Sequence, residues 1–310
     1  MSGPFCIVVN PAAGRGRSLR VLSVVTAALA AADATYHVAE SASLDDARQI
    51  AGQAAQLGHA VVAVGGDGTA GALAGVMAST GGHYGIIPAG RGNDLARVLG
   101  IPTDPAAAAL VLLDGNQRRV DLIGVSAPGH RELMVMGSVY AGIPSIAGEI
   151  ANQTRLLPGP LVYPVAALRA LARWTPVAFR AEICAGTGAS TVHDFPGYAI
   201  VVANVAYFGA GMQVAPPAII DDGALDIVIM RDGPRLAFLR ALARIRTGSH
   251  LALPQISLER GTEVIVSMDR DLSAAADGET LPCAAPLRAG TRLRIRVLPG
   301  VLTVLTPRAA

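Results

Sequence analysis

The run Ala-Val-Val-Ala-Val-Gly-Gly-Asp-Gly-Thr, from Ala60 to Thr69, predicts a buried strand that passes through a glycine-rich turn into a helix. Glycines at such a turn let the backbone approach a ligand, and the following helix offers unpaired N–H groups and a positive dipole end to a phosphate. Asp67 adds a carboxylate that can face a phosphate-bound Mg²⁺. A lone Gly-Gly pair would favour a plain connecting turn. Because α/β sheets bind ligands at the carboxyl ends of parallel strands, we interpret this run as a phosphate-binding loop.

Short apolar runs alternate with helical patterns on both sides of this loop. Strands are predicted at Phe5–Val9, Thr35–Val38, Ala60–Val64 and Tyr84–Ile87. Apolar residues at helical spacing predict helices at Ser18–Ala32, Leu44–Gln56 and Thr69–Ala78. Each connection is long enough for a right-handed crossover, so residues 1–124 are expected to form a doubly wound α/β domain with a mainly parallel sheet.

The pattern changes beyond Val120 to strands that are separated mostly by turns. The predicted strands are Gln117–Val125, Leu133–Val139, Pro176–Cys184, Gly197–Val205, Ala224–Met230, Glu263–Ser267 and Thr291–Val297. Residues 125–300 are therefore expected to form a mainly antiparallel β domain, with helices at Leu161–Arg173 and Arg235–Arg246. A last strand, Val301–Leu305 within residues 301–310, either stays with this domain or returns to the first one.

Composition narrows the class of protein. The 310 residues suit two domains, and 52% hydrophobic with 15% charged residues provides for a large core. No apolar stretch reaches the roughly 18 residues of a membrane span. Residues 1–10 have no basic segment before their apolar run, so we expect a cytoplasmic protein without a signal peptide. A net charge of +2 does not suggest nucleic acid as a partner, and the absence of lysine excludes a P-loop lysine.

Two further glycine-containing loops follow predicted strands. The run from Pro88 to Asp94, Pro-Ala-Gly-Arg-Gly-Asn-Asp, opens a helix one strand after the first loop, so both loops would line one cleft. Asp94 has a second interpretation there, as the N-cap of the helix. The segment from Asn10 to Ser18 contains two glycines and two arginines, and it either binds polyphosphate or is a solvated basic turn.

Together these motifs resemble the catalytic domain of the diacylglycerol kinase and sphingosine kinase family, especially its bacterial lipid kinases. The motifs that carry the resemblance in the first half are Asn10-Pro11 with Gly14 and Gly16, Gly65 to Thr69, and Pro88 to Gly100. Those in the second half are Ala215-Pro216, the run Asp-Asp-Gly-Ala-Leu-Asp at 221–226, and Asp277-Gly278-Glu279. Their order and spacing match over nearly the whole chain, which implies an ATP-dependent lipid kinase of two domains.

The resemblance also implies roles for single residues. Asp277 or Glu279 would be the general base that takes the proton of the acceptor hydroxyl, and Asp121 would join an Asp–Mg²⁺–water network. Asp222 would hold a separate, structural Mg²⁺ together with backbone carbonyls. ATP and Mg²⁺ are the implied cofactors, and the implied nucleotide contacts are Asn10, Ser41, Gly65, Gly66, Asp67, Gly68, Thr69, Gly90, Gly92, Asn93 and Asp94. Phosphoryl transfer in general needs positioning, a metal and a carboxylate that orients the nucleophile, and clustered aspartates satisfy this need.

Alternatives to these roles stay open. By itself, Asp277-Gly278 is equally a hairpin turn, and the run 221–223 is more typical of a solvated turn. Arg91 stands where the family usually has a small residue, and it either changes the phosphate contacts or reaches a phosphate itself. The helix Arg235–Arg246 either docks on anionic lipid at the membrane surface or keeps its arginines in water.

The function has alternatives as well. The acceptor is diacylglycerol, a sphingoid base, another membrane or secondary-metabolite alcohol, or a soluble small-molecule alcohol. An NAD kinase shares the Gly-Gly-Asp-Gly loop but fits the run from Asn93 to Arg97 and the late Asp277-Gly278-Glu279 poorly. A non-catalytic, lipid-binding pseudo-kinase is the alternative outside enzymology. A homodimer is compatible with the sequence.

Overall fold

Two compact units make up the computed structural model, which describes residues 4–11, 16–153, 159–186, 188–284 and 286–308. The first unit is Met1–Leu122 with Pro299–Ala310, and the second is Ile123–Leu298. The described helices are α1 (Arg17–Ala31), α2 (Leu44–Gln56), α3 (Asp67–Thr80), α4 (Asp94–Val98), α5 (Pro105–Asp114), α6 (Ile143–Gln153), α7 (Gly159–Arg173) and α8 (Arg235–Arg244). The described strands are β1 (Phe5–Val9), β2 (Tyr36–Glu40), β3 (Ala60–Gly65), β4 (His83–Pro88), β5 (Asn116–Ser126), β6 (Leu133–Val135), β7 (Ser138–Gly142), β8 (Val177–Cys184), β9 (Ser190–Ala203), β10 (Tyr207–Phe208), β11 (Met212–Gln213), β12 (Leu225–Arg231), β13 (Ile256–Gly261), β14 (Glu263–Met268), β15 (Ala274–Ala276), β16 (Glu279–Thr280) and β17 (Leu293–Thr306).

The first unit contains a parallel sheet with the strand order β2-β1-β3-β4-β17, which confirms the predicted α/β class. Phe5 lies opposite Tyr36 of β2 and Ala60 of β3, and the end of β17 joins β4 with Thr303 opposite His83. Strands β1 and β3 are buried throughout, as expected for central strands with both faces covered. The chain order reverses between β1 and β3, and a reversal of this kind opens a crevice at the carboxyl ends of the strands.

The second unit is mainly antiparallel β structure, as predicted. The long strand β9 pairs with β8 in its first half and lies between β7 and β12 in its second half. The change of partner occurs at Gly197, where a Cβ atom would lie 2.8 Å from the Phe195 ring, so only glycine fits. Strand β8 continues through β14 to the first part of β17, while β12 pairs with β13 and β7 pairs with β15. The core of the unit includes Phe179, Ile200, Ile227 and Val266.

The second unit also contains helices, which pack beside its strands. Helix α6 packs against α7, and α8 is followed by two short 3₁₀ turns, Ile245–Thr247 and Ser249–Ala252. The predicted helix Arg235–Arg246 therefore ends as an α-helix at Arg244, and Gly248 between the two turns has a φ of 71°. No described helix combines the length and the apolar character that crossing a bilayer requires.

The structure differs from the sequence prediction at several elements. The predicted strand Leu133–Val139 is broken into β6 and β7, because the N–H groups of Met136 and Gly137 bond to a side chain instead of a neighbouring strand. Helix α3 begins at Asp67, two residues before the predicted start. Helices α5 and α6 and strands β10, β11, β13, β15 and β16 are additional to the prediction. For α5 the signal was present, since the Asp104 carboxylate accepts the Ala107 N–H at 2.8 Å, ahead of a proline in the first turn.

Candidate active site

The predicted nucleotide contacts follow four neighbouring parallel strands of the first unit. Asn10 follows β1, Ser41 follows β2, and the two glycine loops follow β3 and β4. Ser41 is buried, and both its N–H and its hydroxyl donate to the Val9 carbonyl, at 2.8 and 3.3 Å. This pair of bonds ties the end of β2 to the end of β1. Since parallel strands end at the same edge of a sheet, these predicted residues share one edge of the unit.

The two glycine loops touch each other backbone to backbone. A Cβ atom on Gly90 would lie 2.4 Å from the Cα of Gly66, and one on Gly66 would lie 3.1 Å from the Cα of Gly90. The Ala89 N–H donates to the Gly65 carbonyl at 2.8 Å, which holds the loops at this separation. A side chain at Gly90 would collide with the backbone of Gly66, whereas one at Gly66 would need a shift of a few tenths of an ångström. The chain therefore needs glycine at Gly90 and favours it at Gly66. Glycine loops of this kind present backbone N–H groups to phosphate oxygens.

Asp67 and Asn93 bind the two loops into one assembly. Asp67 is the first residue of α3, and its Oδ1 accepts the Leu95 N–H at 2.9 Å, in the first turn of α4. Asn93 has a left-handed backbone with a φ of 54°. Its side-chain oxygen accepts the Gly90 N–H at 2.9 Å, and its amide donates to the Gly90 carbonyl at 3.2 Å. The loop from β4 therefore keeps its shape through Asn93, and its helix is capped by a carboxylate from the other loop.

Asp94 is the first residue of α4, and its buried carboxylate pairs with Arg97. The interpretation of Asp94 as the N-cap is wrong, because Asn93 occupies the N-cap position. Arg91 is exposed in the same loop. Arg17, at the start of α1, donates to the Gly90 carbonyl at 3.1 Å, so part of the predicted basic segment does reach the glycine loops.

The remaining predicted residues of the loops are in ordinary backbone positions. A Cβ atom on Gly65 would lie 2.8 Å from Thr69 Cβ, so the Thr69 side chain covers this glycine. Gly68 lies in the first turn of α3, and the Gly92 carbonyl accepts a long bond of 3.4 Å from Arg97. Four residues of the segment after β1, residues 12–15 with Gly14 and Arg15 among them, lie outside the described residues.

Asp121 is a buried carboxylate on β5 with a structural bond. Its Oδ1 accepts the Gly300 N–H at 2.7 Å, and Arg119 donates to the Gly300 carbonyl at 2.7 Å. Gly300 has a φ of 56°, a conformation that favours glycine. Asp121 thus holds β17 in place within the first unit. Its membership of a metal–water network stays a prediction.

Asp277 lies in the turn between β15 and β16 with a φ of 47°. Its carboxylate accepts hydrogen bonds from three consecutive backbone N–H groups, those of Met136, Gly137 and Ser138, at 2.9–3.1 Å. Removal of the carboxylate from water raises the pKa of Asp277 above its ordinary value, and the three N–H groups oppose that rise. The break between β6 and β7 is therefore the position at which the backbone binds this carboxylate.

Gly137 is a site residue that the sequence prediction missed. A Cβ atom there would lie 2.5 Å from Asp277 Oδ1, so the approach of the carboxylate requires glycine. The available signal was a glycine inside a predicted strand, which often marks a close approach of another group. Glu279 is exposed on β16 and has no partner in the described part of the chain, while the Gly278 N–H donates to the Tyr140 hydroxyl at 3.1 Å.

An apolar pocket of the second unit lies beside this turn. It encloses about 680 Å³ of space free of protein atoms, its open mouth included, and nearly all of its lining residues are apolar. The Phe208 ring lines the pocket and packs on Tyr140 with ring centroids 4.5 Å apart, so Tyr140 connects the pocket wall to Gly278. Helices α6, α7 and α8 form much of the wall, through residues that include Ile143, Ala147, Ala167, Phe238 and Leu242.

Asp222, predicted to hold a structural Mg²⁺, is engaged by protein groups. One carboxylate oxygen accepts the Ala224 N–H at 3.1 Å, and the other pairs with Arg260. Burial raises the pKa of the neighbouring Asp226. The positive charge of Arg260 opposes this rise, and the negative charge of Asp222 adds to it. Among the described residues there is no cluster of three or more histidine, cysteine, aspartate or glutamate side chains suited to a metal. An ion at Asp222 would have to displace Arg260 and use backbone oxygens, and its presence stays a prediction.

Comparisons with known proteins cover both units. Residues 4–125 match the family model described as "Diacylglycerol kinase catalytic domain", and residues 137–306 match "YegS C-terminal NAD kinase beta sandwich-like domain". The chain is 32% identical to a diacylglycerol kinase of Mycobacterium tuberculosis (strain CDC 1551 / Oshkosh), over 99% of this chain and 96% of that protein. It is 29% identical to a protein of Stenotrophomonas maltophilia (strain K279a) named "Probable lipid kinase YegS-like", over 80% and 78%. A crystal structure of a diacylglycerol kinase from Bacillus anthracis (strain Sterne) has the same fold, with a TM-score of 0.74 at 20% identity over 99% of this chain and 97% of that one.

Proposed function

The chain belongs to the diacylglycerol kinase family of lipid kinases, and on that premise we propose that it transfers the γ-phosphate of MgATP to a hydroxyl group of diacylglycerol or a related lipid alcohol. The observation that carries the proposal is that one chain contains two glycine loops in backbone contact and an apolar pocket beside a half-buried carboxylate. The first feature suits a nucleotide, and the second suits the chain of a lipid.

The nucleotide half of the proposal rests on the loops after β3 and β4. Their contact at Gly66 and Gly90 leaves room for phosphate oxygens to approach the backbone, where N–H groups and the start of α3 favour negative charge. Arg91, exposed in the second loop, is placed to add a positive charge in a chain that has no lysine. We assign ATP as the donor because the family is one of kinases and these loops suit a polyphosphate.

A further part of the proposal concerns the Mg²⁺ that the nucleotide carries. Mg²⁺ commonly uses one or two carboxylates and completes its shell with phosphate oxygens and water. The described residues, which offer single carboxylates and no cluster of three, fit an ion held in this way. We propose that Asp67 reaches it directly and that Asp94 and Asp121 reach it only through water. When bound, it supplies neutralisation of the charge that develops on the transferred phosphoryl group.

The acceptor half rests on the second unit. The apolar pocket takes the hydrocarbon chain, and the turn from Asp277 to Glu279 lies next to its wall through Tyr140. One carboxylate of this turn takes the proton from the acceptor hydroxyl as the hydroxyl oxygen attacks the γ-phosphorus of ATP. The bond from that phosphorus to the β–γ bridging oxygen breaks, and ADP leaves. Asp277 is fixed by three N–H groups, whereas Glu279 is exposed, so amide substitutions distinguish the two. Because the proposed acceptor is a membrane lipid, we also propose that the protein binds peripherally to the cytoplasmic surface of the membrane.

The proposal is tested by labelled phosphate transfer from MgATP to diacylglycerol dispersed in neutral detergent, with Asp277→Asn and Glu279→Gln alongside the unaltered protein. We expect the variant that lacks the base to lose about 10²- to 10⁴-fold in kcat while it keeps its ATP affinity. Asp277→Asn also lowers stability, because the new amide group faces backbone N–H donors. Full activity in both variants would refute the assignment of the site. Transfer to a soluble alcohol in place of every lipid tested would refute the lipid part of the function.

A further inference from the structure

Helix α8 has two apolar faces, one that lines the pocket and one that is exposed to solvent. Its inner face carries Phe238 and Leu242, which line the apolar pocket. Its outer face carries Leu236 and Leu239, which are 55% and 37% exposed. At 100° per residue, these two leucines lie on the same side of the helix, about 60° apart, and away from the pocket. One helix thus separates the proposed lipid site from the protein surface.

Arginines flank the two exposed leucines. On the helical wheel Arg235 lies on one side of them, and Arg240 and Arg244 lie on the other. All three are exposed, as is Arg246 in the turn that follows. Residues 233–258 contain these four arginines and no aspartate or glutamate, so no carboxylate of the segment itself opposes their charge. Arg240, Arg244 and Arg246 have no ion-pair partner in the described part of the chain, whereas Arg235 donates to the Ala172 carbonyl of α7 at 3.4 Å.

We propose that the outer face of α8 docks on an anionic bilayer, with Leu236 and Leu239 entering the interface and the arginines binding phosphate headgroups. Apolar side chains that are flanked by cations, on a helix with an apolar inner face, are the pattern of an interfacial helix. The long arginine side chains reach the headgroups while their stems stay near the apolar boundary. The charge of the segment favours an anionic membrane over a second copy of the chain, which would bring like charges together. The proposal rests on the proposed function, since it explains where the lipid leaves the bilayer.

The link between α8 and α7 extends the docking face. Arg235 joins the end of α7, where Leu168 is 44% exposed beside the exposed Arg169. Ala167, the neighbour of Leu168, lines the pocket. On both helices, therefore, apolar residues of the inner face line the pocket, and leucine and arginine side chains of the outer face are exposed to solvent. A lipid drawn from a membrane at this face has the pocket directly behind the two helices.

The test is sedimentation of the full chain with phosphatidylcholine vesicles, prepared with and without phosphatidylglycerol. We expect binding that requires phosphatidylglycerol and weakens with added salt. Arg240→Gln with Arg244→Gln should weaken binding about 30-fold, from roughly fivefold for each basic side chain near an anionic surface. Leu236→Ser with Leu239→Ser should weaken it about tenfold or more, since less apolar surface enters the interface.

A matched pair, Arg131→Gln with Arg288→Gln, makes the same change of charge at exposed positions outside α8 and should leave vesicle binding within about twofold of the unaltered protein. Equal loss in the two arginine pairs would overturn the proposal, because the effect would then be one of net charge. Unchanged binding in the α8 variants, with ATP affinity and unfolding midpoint intact, would overturn it too. Conversion of a dimer to a monomer by the leucine pair, with vesicle binding intact, would make the face a self-association surface instead. A failure of the proposed function would be seen in a different measurement, as the absence of lipid phosphorylation in neutral detergent micelles.

Discussion

Substitution of Gly137 by alanine tests directly how the backbone positions the Asp277 carboxylate, since it adds a single methyl group where that carboxylate binds. The new Cβ would lie 2.5 Å from Asp277 Oδ1, and carbon atoms rarely come closer than 3.0 Å to such a neighbour, so the carboxylate must retreat by about 0.5 Å. A displacement of 1 Å at a reacting group costs about 10²-fold, so we expect kcat to fall by about 10- to 100-fold. Weakened bonds to the three N–H groups should lower the free energy of unfolding by about 1–3 kcal/mol.

The assay combines lipid phosphorylation in detergent with denaturant unfolding of the same preparation. The control is Gly52→Ala in α2, where the added Cβ has its nearest atom 3.7 Å away and alanine favours the helix. The bonds to Met136, Gly137 and Ser138 oppose the rise in the pKa of Asp277. Their weakening therefore raises that pKa further and moves the acid limb of the kcat profile to higher pH. Unchanged kcat and unchanged stability in Gly137→Ala, measured beside a Gly52→Ala protein that keeps its kcat, would contradict the inference that these N–H groups position the carboxylate.

Three further predictions concern the loops, the pocket and pH. Gly90→Ala, whose Cβ would lie 2.4 Å from the backbone of Gly66, should weaken ATP binding about 10- to 100-fold by calorimetry, and unaltered affinity would contradict the phosphate loops. Ala167→Phe fills the apolar pocket, so KM for long-chain diacylglycerol should rise while ATP affinity stays constant; a rise in both would point to misfolding. Burial lowers the pKa of His250 below 6.5, so the unfolded chain takes up its proton first and stability falls as pH drops through that value. The fall should be smaller in His250→Phe, and an equal fall in both proteins would contradict it.

The position of the two glycine loops, where we propose that the nucleotide binds, could be predicted because its signals are local. The glycines of both loops, Asp67 and Asn93 stand within a few residues of a strand end, and the carboxyl edge of a parallel sheet gathers such positions without further information. The local pattern did not reveal that Asp67 caps a helix 28 residues away. It also did not reveal that Asn93, not Asp94, is the N-cap, because that depends on one residue adopting a positive φ.

The acceptor side was harder to predict because its contacts are distant in the chain. Asp277 and Gly137 are 140 positions apart, and only the tertiary fold shows that the broken strand receives the carboxylate. The pocket is built from single residues of many elements, each of which looks like an ordinary core position in the sequence. A pattern of apolar residues predicts burial and does not show where a core leaves space.

We propose that this chain moves phosphate from MgATP to a lipid hydroxyl. The most direct measurement incubates the protein with MgATP labelled at the γ-phosphate and a mixed lipid extract, and separates the products by chromatography, with Asp277→Ala as the inactive counterpart. We expect a labelled lipid that forms only with the unaltered protein. ATP bound by both proteins with no labelled lipid from either would contradict it.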